Sequence, residues 1–76
     1  ELYLKPAAGY VTPGVEVNFY TVVESACRRH EIAVGYRRAA DMNSAEKKYG
    51  VVLNPKKSEL VAFSASDCII VLAEFV

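Results

Sequence analysis

Seventy-six residues with nine basic and nine acidic side chains carry no net charge at neutral pH, and 53% of them are hydrophobic. That composition fits one small folded domain near the lower size limit for burying its own core, and it excludes a disordered tail. A balanced chain of pI near 6.9 offers no field for a phosphate backbone or an anionic lipid surface, so neither nucleic acid nor direct membrane contact is expected.

Leu2, Tyr3, Leu4 and Lys5 alternate as an edge strand does, Leu2 and Leu4 on one face, until Pro6 stops it. Thr12, Pro13 and Gly14 then make a tight turn. Asn18 is a good N-cap, and Phe19, Val22, Val23, Ala26, Cys27 and His30 recur at helical spacing, which predicts one amphipathic helix over residues 19–30. Glu24 and Arg28 stand four apart on its opposite side.

Residues 32–38 follow almost without a linker and read as a strand, with Ile32, Val34 and Tyr36 on one side. Ala33 and Gly35 on the other leave room for another backbone or a ligand. Residues 39–50 form a polar insertion that leaves a helical turn or two over 44–49, ended by Gly50, and a plain loop equally open. A short strand over 51–54, the turn at Asn54 and Pro55, an extended piece over 60–63 and a turn at Ser66 and Asp67 complete the approach to the last strand.

That last run, 66–75, is the most apolar in the chain. Alternation sends residues 69, 71, 73 and 75 to one face and 68, 70, 72 and 74 to the other, so Cys68 to Leu72 would be apolar on both. One helix covers only one face. The other calls for a second layer, which points to a partner subunit, with Ile70, Val71 and Leu72 as the expected dimer interface. The fold class expected is α+β, a small mixed and mostly antiparallel sheet with one main helix on one face.

No chemistry is legible. Nucleophile–base pairs and metal-ligand spacings are missing, so no catalytic residue, metal or cofactor is assigned and the chain is not expected to be an enzyme. Cys27 and Cys68 are read as reduced core cysteines. His30 is a helix-end residue and Asp67 a turn residue. Arg37 and Arg38 are open to two readings, an anion site or a solvated surface of mixed sign.

Taken together, Tyr10-Val11-x-Pro13-Gly14, the helix, Glu31 to Arg37, Gly50 to Pro55 and Ser66 to Leu72 resemble the C-terminal (TrkA-C-like) subdomain of RCK modules, nearest to the CASTOR/POLLUX type of ion channel and its bacterial relatives. The resemblance covers nearly the whole chain. It implies a regulatory and dimerisation domain of a cation channel or transport protein, with potassium the expected ion. It also implies a single domain over 1–76 that is a fragment of a larger chain, a homodimer, and a parent bearing a membrane pore and an N-terminal RCK lobe. The expected place is the cytoplasmic side of the cell membrane, where ligand binding would be transmitted to gating. Glu31, Arg37 and Asn54 are the expected contacts for a small-molecule or ion ligand. In members that bind a cyclic dinucleotide, a helix arginine and an asparagine before the next strand do so; here those positions hold Ser25 and Glu31, a departure from the pattern. A free-standing small-molecule-binding module is the alternative.

Overall fold

A computed structural model describes residues 1–73; Glu74 and Phe75, the end of the expected last strand, lie outside them. Strands β1 (Leu2–Pro6), β3 (Ile32–Arg37), β4 (Val51–Leu53) and β6 (Cys68–Leu72) form a sheet in the order β1-β6-β3-β4. Strand β2 (Glu16–Asn18) pairs with β5 (Leu60–Ala62) in a separate ribbon. Every pairing among the described residues is antiparallel. Helix α1 (Phe19–Cys27) buries Phe19, Val22 and Ala26, so the expected α+β class with one main helix holds.

The helix starts where Asn18 places it. The Asn18 carboxamide oxygen accepts from the Thr21 N–H at 3.1 Å, and the Phe19 N–H donates to the Lys57 carbonyl at 2.9 Å, so two orphan donors of the first turn are met. It ends earlier than the periodicity predicts. The His30 N–H donates to the Cys27 carbonyl at 3.0 Å and the Glu31 N–H to Ala26 at 3.0 Å, with His30 left-handed at φ 61. This is a Schellman turn with histidine where glycine is usual. Cys27 and His30 are thereby exposed, and Cys68 is half-buried, which corrects the reading of two core cysteines.

Strand β3 departs from simple alternation. Ala33 pairs with Val71 and Gly35 with Ile70, leaving Val34 as the extra residue of a bulge. The bulge reverses the parity, so Ala33 and Tyr36 both face the core while Ile32 turns outward. Gly35 does admit a close backbone, because a Cβ there would meet the Val52 carbonyl oxygen at 2.2 Å. Tyr36 sits between Phe19, 6.2 Å away, and Phe63, edge-on at 5.2 Å. Ile69, Val71 and Val22 are fully buried around it.

The insertion contains 3-10 turns at Ala39–Asp41 and Ala45–Gly50, the second kinked by left-handed Lys48 and Tyr49. Gly50, at φ 79, accepts from the Arg38 N–H at 2.9 Å and closes it; a Cβ there would strike the Arg38 carbonyl oxygen at 2.3 Å. The sequence pattern missed β2. Its three residues run straight into the N-cap and leave no period to read.

Candidate functional site

Residues paired across an antiparallel ladder point to the same face, so the register sorts the four-stranded sheet into two sides. Toward α1 lie the rows Tyr3–Val71–Ala33 and Lys5–Ile69–Tyr36–Val52. Away from it lie Leu2–Leu72–Ile32, Leu4–Ile70–Gly35–Leu53 and Pro6–Cys68–Arg37–Val51. Nothing among the described residues covers this second side: Leu2 is 61% exposed, Leu4 51%, Ile32 61% and Leu53 63%. Ile70 is the exception at 7%, being set in the middle row beside the gap that Gly35 leaves.

The expectation of a final strand apolar on both faces is met, and the geometry divides its residues. Ile70 and Leu72 point to the open side. Val71 is fully buried on the helix side. Leu2, Leu4, Ile32 and Leu53 join the open face through register, which a single sequence does not display, although the alternation of Leu2 and Leu4 was its visible trace.

Glu31, Arg37 and Asn54 are not gathered in one place. Glu31 precedes β3 and Arg37 ends it, six residues on and so roughly 20 Å away along an extended strand. Glu31 is 7% exposed and spent internally: it is bonded by Lys5 Nζ, and its Oε1 accepts from the Tyr10 hydroxyl at 2.6 Å. Burial alone would raise its pKa, but the Lys5 and Tyr10 hydrogen bonds and the Lys5 and Arg29 charges outweigh it and hold the carboxyl below its ordinary range. Burial, the bond to Glu31 and the Glu31 charge push the Tyr10 hydroxyl up to about 12. Arg29 lies 4.5 Å over the Tyr10 ring and donates to the Gly9 carbonyl, locking the segment after β1 to the end of α1. Asn54 is a left-handed turn residue at φ 50 whose N–H donates to the Val34 carbonyl at 2.7 Å.

Asp67 is the second buried carboxylate. Its Oδ1 accepts from the Ala39 N–H and its Oδ2 from the Ser64 N–H, each at 2.8 Å, and Arg38 Nε stands 3.5 Å away. Burial opposes its charge, yet the two backbone donors and Arg38 lower its pKa. It therefore pins the insertion to the turn before β6. No cluster of three or more metal-binding side chains occurs among the described residues, and none of their helices is long and apolar enough to cross a membrane.

Fold and site together define a small α+β domain sealed on one side of its sheet and open on the other. No protein-family model matches the chain. Over 74 residues, 96% of its length, it is 39% identical to the probable ion channel POLLUX of Arabidopsis thaliana. It spans 8% of that protein. The chain is thus similar to a short segment of an ion-channel protein.

Proposed function

We propose that this chain is a regulatory, self-associating domain of a cation channel or transport protein, an RCK C-terminal-like lobe on the cytoplasmic side of the membrane. The observation that carries the reading is the open apolar face of the β1-β6-β3-β4 sheet. The likeness to a segment of an ion-channel protein supports the channel context. In the parent, a pore domain and an N-terminal RCK lobe would be its neighbours, with potassium as the ion moved. Its work is regulatory rather than catalytic.

The occupant of the open face in this reading is a second copy. Five exposed apolar side chains on each copy, Leu2, Leu4, Ile32, Leu53 and Leu72, would each gain about 1–1.5 kcal/mol on losing their remaining water contact. Association costs about 4–15 kcal/mol. The two are comparable, so the dimer is expected to be of modest strength and its population to follow concentration. A ligand that favours the paired arrangement would bias the gate by its differential affinity for two states, with Arg37 as the contact this face offers. The alternative, a free-standing small-molecule-binding dimerisation module, shares the same face without the pore.

Sedimentation equilibrium over a range of concentrations tests the proposal. The mass is expected to rise from 8.4 kDa toward twice that value. A mass fixed at the monomer up to millimolar concentration would rule out self-association through this face.

A further inference from the structure

Three of the four arginines already have partners. Arg28 pairs with Glu24 at 2.6 Å, Arg29 bonds the Gly9 carbonyl at 2.7 Å, and Arg38 lies beside Asp67. Arg37 has no carboxylate within 4.0 Å among the described residues. Among the described residues it is also the one charged side chain in the paired rows of the open face, half-buried between Cys68 and Val51 in the outermost row. Two hollows share its side chain. One is a shallow groove of about 320 Å3 against Leu2, Leu4, Val51, Leu53 and Ile70. The other, about 70 Å3, lies between Arg37, Ala39, Met42, Ser66 and Cys68.

The geometry points to the smaller hollow as a binding site for a single tetrahedral oxyanion of the phosphate-monoester class, held by the Arg37 guanidinium with the Ser66 hydroxyl as second polar group. A guanidinium fork matches two oxygens of such a group, and the hollow has room for a few water molecules, the scale of one anionic head rather than a nucleotide. No acid lines it. Two carboxylates adjoin its lining in sequence: Asp67 is 2% exposed and already met by the Ala39 and Ser64 N–H groups and by Arg38, and Asp41, beside Met42, is paired with Lys47 at 3.5 Å. The hollow is also distinct from the Ser25 and Glu31 positions, since Glu31 lies beyond the opposite end of β3. A zero net charge favours a soluble anion over a lipid surface as the source.

The consequence rests on the self-association proposed above. A second copy laid on the open face would bury two arginines against rows that hold no carboxylate among the described residues, which is unfavourable unless an anion accompanies them. An oxyanion at Arg37 removes that obstacle. By linkage, the anion strengthens pairing by the same factor that pairing strengthens anion binding, about tenfold.

Inorganic phosphate, titrated at constant ionic strength into the 15N-labelled chain, is the test. Saturable amide shifts confined to Arg37, Ser66, Cys68 and their neighbours are expected, lost in Arg37→Gln and kept in the control Arg28→Gln. Shifts that never saturate, or that persist in Arg37→Gln, would overturn the site. Cosedimentation with phosphatidic acid vesicles that depends on Arg37, without a phosphate response, would overturn the soluble source. Sedimentation with and without phosphate reads the coupling: a tenfold tighter dimer supports it, and an unchanged dimer refutes it. Saturable phosphate binding by a chain that stays monomeric would leave the site standing and remove the self-association reading.

Discussion

Strand β6 shows the two sides of this molecule within five residues. Ile69 and Val71 are fully buried beneath α1, Phe63 and Tyr36, whereas Leu72, one position on, is 41% exposed. The margins differ as well. On the helix side, Glu31 with Lys5 and Tyr10 closes one end, and Asp67 with the Ala39 and Ser64 amides and Arg38 closes the other. Among the described residues, the rows of the open side hold leucines, isoleucines and one arginine, and no acid. A sheet face meant only for water carries the polar residues of each alternating strand; this one carries apolar ones, as the proposed self-association requires.

The sealed side is the more sensitive of the two to substitution. Val71→Asp places a carboxylate in the core and is expected to cost about 4 kcal/mol or more, enough to unfold a domain of this size, as seen by loss of the urea transition. Leu72→Asp on the adjacent residue should leave the monomer's melting temperature nearly unchanged and weaken self-association at least about tenfold, equivalent to about 1.4 kcal/mol, in sedimentation. Equal destabilisation by both would erase the distinction between the faces.

Glu31→Ala leaves the Lys5 ammonium and the Tyr10 hydroxyl without their acceptor and is expected to cost about 3 kcal/mol in chemical denaturation. The same carboxylates set the acid limit. Because Glu31 and Asp67 are held below their ordinary range when folded, their contribution is present above the unfolded value of about 4 and is lost as pH falls through the lower folded values. Melting temperature should therefore drop steeply below about pH 4, and Asp67→Asn should flatten that slope. At the alkaline end the sign is opposite: with Tyr10 raised to about 12, its contribution is whole below about pH 10 and is lost as pH rises through 12. The smallest effect is His30→Gly, which relieves a left-handed histidine and should stabilise by about 0.5–1 kcal/mol in the same denaturation assay.

Much of this could be read from residue order. Asn18 marked the helix start, the Glu24 and Arg28 pair sits at 2.6 Å as its spacing implies, and the doubly apolar run of β6 anticipated an uncovered face. The failures have local causes. The helix was read three residues too long because Cys27 and His30 continue its period, while His30 stops it by adopting a conformation that glycine would have announced. The outward turn of Ile32 depends on one extra residue at Val34, and a bulge leaves no compositional mark. Glu31 was expected as a ligand contact through the resemblance alone, and residue order does not display its internal partners, since Lys5 and Tyr10 are 26 and 21 residues away. Four strands contribute to the open face, and only their register assembles it.

The most direct measurement is an isotope-filtered nuclear Overhauser experiment on a mixture of 13C-labelled and unlabelled chain at high concentration. Contacts between copies are expected among the methyl groups of Leu2, Leu4, Ile32, Leu53, Ile70 and Leu72, with none from Val22 or Val71. Intermolecular contacts confined to the helix side, or none at all while the chain remains monomeric, would contradict the claim that the open sheet face is where this domain meets a second copy of itself.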